Sequence, residues 1–271
     1  MNLNNKNVVI TGAGGGIGAA MARLFAKHGA KVVVSDLNLA AAQVIAKECD
    51  GLAIECDATS EVSINSLITQ AESHFGDIDL FCSNAGLAKS EPSHAASAPN
   101  DDWTLNWEIH VMSHVYASRA LLPKMIERGD GYLLNVASAA GLLCQIADSA
   151  YSATKSAAVS FAQSLAITHA NDGIKVSVVC PQYVKTNILG LSEEQSKEPL
   201  PNVLSPEECA QAILKGIEEE AFLILPHPDI RKYMSFRAAD TDRWIAGMGK
   251  MRQGLVDKHG KVDLARAVTN S

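Results

Sequence analysis

Short β-branched runs alternate with amphipathic helical stretches along most of the chain, the periodicity expected of repeated strand–helix units. Val8-Val9-Ile10-Thr11 predicts a first strand, followed by a glycine-rich turn and a helical pattern reaching Lys27. Lys31–Ser35 predicts a second strand ending at Asp36, Gly51–Cys56 a third, Ile78–Cys82 a fourth and Tyr132–Ala137 a fifth. Lys175–Cys180 predicts a sixth strand that breaks at Pro181, and Ala221–Leu225 a seventh. A helix is predicted over Glu61–Phe75, and one long helix over Asp101–Arg128, bent at Pro123 by the missing N–H. Ser205-Pro206-Glu207-Glu208 places a capping serine, a first-turn proline and a third-position glutamate in helix-starting order.

Strands alternating with helices imply a parallel sheet covered on both faces, a doubly wound Rossmann-type α/β fold of about seven strands in a single domain. In such sheets ligands bind at the strand C-termini. The 271 residues, 47% apolar and 20% charged, are enough to bury a large core. A net charge of −7 gives no electrostatic reason to expect nucleic acid or an anionic membrane as partner. Met1–Asn7 is polar where a secretory signal would be apolar, and no apolar run approaches the ~18 residues of a membrane span, so a cytoplasmic location is expected. Cys49, Cys56, Cys82, Cys144, Cys180 and Cys209 are scattered without CxxC spacing and read as reduced packing residues. Thr186–Asn202 has no clear strand and mixes Ile188, Leu189 and Leu191 with Gly, Ser, Glu and Pro, which suits a substrate lid over about 186–203. A C-terminal extension over about 226–271 has helical character to about Val256 and a polar end.

Several residues at strand ends carry chemistry. Gly12-Ala13-Gly14-Gly15-Gly16-Ile17-Gly18 stands between a strand and a helix, where glycines let a pyrophosphate approach the helix N-terminus. Asp36 lies eighteen residues after Gly18, near the offset at which a carboxylate bonds ribose hydroxyls and repels a 2′-phosphate. That favours NAD over NADP, although Asp36 could instead cap the next helix. Asp57 and Asn84-Ala85-Gly86 follow the third and fourth strands, as ligand contacts or as a cap and a turn. Ser138 ends the fifth strand, and Tyr151 and Lys155 share a helix face at i and i+4. A cation fixed beside a phenol favours the phenolate, a proton acceptor near neutrality. His110 and His114 are also at i and i+4, yet no third ligand accompanies them and no metal is expected.

In their order and spacing these marks resemble the short-chain dehydrogenase/reductase family: Thr11-Gly12-(x3)-Gly16-Ile17-Gly18, Asp57, Asn84-Ala85-Gly86, Ser138, Tyr151-(x3)-Lys155 and Pro181-(x4)-Thr186. The resemblance implies Tyr151 as catalytic acid/base, Ser138 as partner of the substrate oxygen, and Lys155 as ribose binder and tuner of Tyr151. It also implies Asp57 at the adenine, Asn84 and Gly86 along the cofactor cleft, and Thr186 with the Val184 backbone at the carboxamide. Two positions depart from the family pattern. The helix asparagine that holds a relay water falls on His110, which could hold that water through a ring nitrogen and make the relay pH-sensitive. Gln182 follows Pro181 where glycine is usual.

The implied activity is NAD-dependent interconversion of a secondary alcohol and a ketone. An NADPH-dependent carbonyl (3-oxoacyl-type) reductase and a catalytically silent NAD-binding regulator are the alternatives. Leu142, Leu143, Ile146, Tyr183, Ile188 and Leu189 suggest an apolar pocket for a small-molecule alcohol or ketone, or equally a buried scaffold. A homotetramer or homodimer packed through the helices at about 101–128 and 150–170 is implied by the same resemblance.

Overall fold

A computed structural model describes residues 1–89, 93–189, 200, 202–260 and 262. The sheet strands are β1 (Asn7–Thr11), β2 (Lys31–Asp36), β3 (Leu52–Glu55), β4 (Leu80–Ser83), β5 (Gly131–Val136), β6 (Ile174–Val179) and, beyond a separate two-stranded piece, β9 (Leu223–Ile224). They form one sheet in the order β3-β2-β1-β4-β5-β6-β9. Every pairing is parallel. The order reverses between β1 and β4, which opens a crevice at their C-terminal ends.

The helices between the strands are α1 (Gly16–Lys27), α2 (Leu39–Cys49), α3 (Glu61–Phe75), α4 (Asn100–Trp107), α5 (Ser113–Arg128), the short α6 (Ala140–Leu143), α7 (Ser149–Thr168) and α8 (Pro206–Glu218). Successive strand residues point to opposite faces, so each apolar run feeds two cores. Val8, Ile10, Val32 and Leu134 pack against Met21 and Phe25 of α1 and Ile213 and Ile217 of α8. Val9, Phe81, Leu133 and Val178 pack against Leu67 of α3, Leu121 of α5 and Ala158 and Ala162 of α7. The Ser205–Glu208 capping box starts α8 as the sequence predicts.

Two expectations need correction. The long helix over Asp101–Arg128 is broken at Glu108–Met112 by one wide π-turn, whereas Pro123 sits inside α5. The Ser113 hydroxyl donates to the Ile109 carbonyl at 2.7 Å, a side-chain bond that opens the helical ladder there. Asp36 does not cap α2, because Asn38 does so by accepting from the Ala41 N–H. On either side of Thr186–Asn202, where no clear strand was expected, β7 (Tyr183–Val184) pairs in parallel with β8 (Val203–Leu204), each too short to give a periodic signal. Of the expected lid, residues 190–199 and 201 lie outside the described residues, as do 263–271 of the C-terminal extension. The described part of that extension forms α9 (Asp229–Ala239) and α10 (Thr241–His259). No helix among the described residues is long and apolar enough to cross a membrane.

Candidate active site

Strand β5 delivers Ser138, and α7 presents Tyr151 and Lys155 one turn apart. Asp148 starts that helix by accepting the Tyr151 N–H at 3.3 Å, which sets the phase of the face carrying both side chains. The Ser138 hydroxyl neighbours the Tyr151 phenol and pulls its proton affinity down. The same hydroxyl oxygen accepts the Ala140 N–H at 3.1 Å, so the serine is held from its own turn. Lys155 is 3% exposed and donates to the Val136 carbonyl at 2.9 Å. Its ammonium lies 5.6 Å from the Tyr151 ring centre.

Burial governs the protonation of this pair. It pushes Tyr151 up to about 12, against the opposing pull of the Ser138 hydroxyl. It pushes Lys155 down to about 7, so the lysine sheds its own charge near neutrality. The lowering of the phenol expected from a neighbouring ammonium is therefore outweighed by desolvation.

His110 lies in the π-turn, fully buried, its ring edge-on to Tyr151 at 5.2 Å and 88°. Its Nε2 accepts the Leu87 N–H at 3.3 Å. That assigns the proton to Nδ1, which faces the Thr154 hydroxyl at 3.1 Å. Thr154 passes its own hydrogen to the Ala150 carbonyl at 2.9 Å or the Tyr151 carbonyl at 3.1 Å, so the chain of donors closes. Burial first, and the Lys155 charge second, hold His110 well below the usual histidine range. The residue is a neutral imidazole with both nitrogens engaged. Protein groups engage its one acceptor and its one donor, in place of the water expected on the ring. A β-carbon on Gly86 would come within 3.3 Å of His110 Nε2 and 3.6 Å of Lys155 Nζ, so glycine gives these two groups room.

The crevice between β1 and β4 is a cavity of about 720 Å³. Gly12, Gly16, Ile17, Asp36, Asp57, Asn84, Gly86, Val184 and Thr186 line it, together with Ser138, Tyr151 and Lys155. Gly18 lies just behind the turn, and a β-carbon there would stand 2.4 Å from the Gly12 carbonyl oxygen, which excludes any larger residue. No side chain caps the start of α1, leaving its first N–H groups for an anion. Asp36 accepts from Gly14 N–H at 2.9 Å and Asn38 N–H at 2.9 Å, so it braces the glycine turn from the cleft wall. Asn84 donates to the Thr11 and Gly12 carbonyls at 2.9 and 3.1 Å, tying β4 to the same turn. Asp57 accepts the Thr59 N–H and hydroxyl at 2.9 and 2.7 Å. Residues expected to meet the cofactor thus also carry the local structure that shapes the cleft. Among the described lining residues the single lysine or arginine is Lys155, and it stands beside Tyr151.

Residues 6–197 match the family model for short chain dehydrogenase. The chain belongs to the short-chain dehydrogenase family. It is 34% identical over 216 residues to a cis-4-hydroxycyclohexanecarboxylate dehydrogenase of Sinomonas cyclohexanicum, spanning 76% of this chain and 86% of that one. It is 31% identical over 220 residues to an uncharacterised oxidoreductase of Staphylococcus aureus, spanning 80% and 93%. A short-chain dehydrogenase/reductase from Burkholderia phymatum, solved in complex with NAD, superposes with a TM-score of 0.79 at 26% identity over 89% of this chain and 96% of that one. A 3-ketoacyl-(acyl-carrier-protein) reductase from Brucella melitensis, solved with NADH, does so at 0.75 with 29% identity over 82% and 97%.

In this short-chain dehydrogenase a second cavity of about 720 Å³ opens from Ser138 on the side away from the glycine turn. Of the residues expected to form an apolar pocket, Leu143, Ile146 and Tyr183 line it. Ile188 and Leu189 line the glycine-turn cleft, and Leu142 packs beneath Ile230. The outer wall comes from α9 and α10, through Ile230, Tyr233, Phe236, Trp244, Met248 and Met251. Trp244 packs on Tyr233 and Phe236 at 6.4 and 6.1 Å between ring centres. Sequence reasoning missed this wall, although Trp244, Met248, Met251 and Leu255 recur at helical spacing and were the available signal.

Proposed function

We propose that this oxidoreductase interconverts a secondary alcohol and a ketone with NAD, using Tyr151 as the acid/base. The observation that carries the reading is the convergence of Ser138, Tyr151 and Lys155 on one cleft, with Ser138 where the two cavities adjoin and Lys155 buried on the helix that carries Tyr151. When bound, NAD supplies the hydride acceptor in one direction and the donor in the other. Ser138 holds the substrate oxygen. Tyr151 takes the hydroxyl proton during oxidation and returns it during reduction. Lys155 holds the nicotinamide ribose and, while protonated, opposes the desolvation that keeps the phenol neutral.

The residues fit NAD by their chemistry. The uncapped start of α1 suits the pyrophosphate, and the Asp36 carboxylate suits ribose hydroxyls. A 2′-phosphate would meet that carboxylate with no lysine or arginine beside it among the described lining residues. NAD and NADH in solved relatives support the same choice. The apolar second cavity supports a substrate with a sizeable hydrophobic body, and the similar hydroxycyclohexanecarboxylate dehydrogenase supports a cyclic one.

Tyr151→Phe tests the assignment directly. Turnover of a panel of cyclic and aryl-alkyl secondary alcohols, followed as NADH formation, is expected to fall at least about a thousandfold, within the range for losing general acid–base catalysis. NADH binding by fluorescence should stay within about threefold, because the phenol contributes one hydrogen bond at most to the cofactor. Wild-type rates in the mutant would remove Tyr151 from the chemistry.

A further inference from the structure

Gln182 occupies the neck between the two cavities. Among the described residues, Ser138 and Gln182 alone line both. The preceding residue fixes where the glutamine begins: the Pro181 carbonyl accepts the Ala139 N–H at 2.8 Å and lies 3.5 Å from Ser138 Oγ. The Gln182 side chain therefore starts one peptide unit from the serine.

The glutamine backbone is clamped as well. Its N–H donates to Nδ1 of His227 at 3.1 Å, which leaves the proton of that ring on Nε2, donating to the Tyr183 carbonyl at 3.1 Å. His227 is 7% exposed, and burial holds it below the usual histidine range, in the neutral form that Nδ1 needs in order to accept. One imidazole thus fixes the peptide groups on either side of the Gln182–Tyr183 peptide. The side-chain amide of Gln182, by contrast, makes no hydrogen bond among the described residues. An anchored backbone carries an uncommitted donor and acceptor into a neck whose far side is largely apolar.

We propose that Gln182 is the specificity-determining residue of this site and that it selects secondary alcohols bearing a second oxygen on the neighbouring carbon. The proposal rests on the alcohol–ketone reading of the site. With the reacting oxygen at Ser138 and Tyr151, the carbinol carbon lies in the neck. The amide of Gln182 then meets the substituent on the next carbon, and the apolar remainder enters the cavity walled by Trp244 and Phe236. A primary amide suits this task in both directions of reaction. Its carbonyl accepts from a vicinal hydroxyl, and its NH₂ donates to a vicinal ketone or carboxylate oxygen. A substrate lacking that oxygen leaves the amide desolvated and unpaired.

The test compares cyclohexanol with its trans vicinal diol, using the full-length protein and NAD. In the wild type the diol is expected to show the higher kcat/KM by about tenfold, the equivalent of one hydrogen bond in a closed site. Gln182→Leu should lower kcat/KM for the diol by about tenfold while cyclohexanol stays within about threefold, and Gln182→Asn should restore part of the preference. NADH affinity should be the same in all three proteins. Equal rates on both alcohols in the wild type overturn the proposal alone, as does an equal loss on both in Gln182→Leu. Weaker NADH binding with an unchanged diol preference assigns Gln182 to the cofactor and also overturns it. Absence of turnover with either alcohol counts against the alcohol–ketone reading itself, and the proposal falls with it.

Discussion

With the Tyr151 phenol pushed up to about 12, its phenolate is scarce at neutral pH and grows tenfold with each pH unit below that value. Alcohol oxidation needs the phenolate as base, so log kcat/KM for oxidation is expected to rise with a slope near one between about pH 7 and 9. Ketone reduction needs the phenol as acid, which is present throughout that window, and should not rise. Lys155 works against oxidation in the same interval, since it is charged below about 7 and loses its proton above it. His110, neutral throughout, should add no inflection near pH 6.5. A plateau in the oxidation profile starting at pH 7 would show that bound cofactor lowers the phenol far more than burial raises it. The meeting of Ser138, Tyr151 and Lys155 in one cleft was legible because their spacing is itself the signal. The bonding of His110 was not, since its partners Leu87 and Thr154 lie 23 and 44 residues away in sequence.

One turn along α5 from His110, His114 is completely buried, and neither ring nitrogen has a hydrogen-bond partner among the described residues. Burial pushes it down to about 3, so it stays neutral at any physiological pH. A desolvated imidazole without partners is a net cost to the fold of about 1–3 kcal/mol. His114→Leu, close in volume, is therefore expected to raise the melting temperature by roughly 2–4 °C for each kcal/mol recovered. A fall in the melting temperature would mean that the imidazole is satisfied and contributes to the core. The helices and strands that feed both cores were readable from apolar runs several residues long. The π-turn was not, because one extra residue in a helical ladder leaves the hydrophobic spacing nearly intact while rotating the later side chains by about a hundred degrees.

Stability is distributed unevenly over the molecule. Helix α7 buries nine of its side chains, whereas α10, of similar length, buries none. A helix without buried residues opens locally at little cost. Amides of α10 are therefore expected to exchange with solvent much faster than those of α7. They should slow when NAD and an apolar alcohol are added together, because the substrate would fill the cavity that Trp244 and Met248 face. Equal exchange in the two helices, or no change with ligand, would contradict a wall held in place by what it encloses. The weak burial also explains why the sequence reported helical character here without revealing a role. A helix that does not pack on the sheet leaves no stripe matched to a known core.

The outer wall of the second cavity belongs to a different stretch of chain from the residues proposed to meet the nicotinamide. The family model ends at residue 197, while Ile230, Phe236, Trp244 and Met248 all lie beyond it. The residues proposed for hydride transfer and the outer wall proposed to meet the substrate body thus lie in different stretches of chain, and Ser138 and Gln182 line both cavities. A change in the body of the substrate would fall on α9 and α10, with Gln182 still reading the neighbouring oxygen and the glycine turn, Tyr151 and Lys155 left as they are.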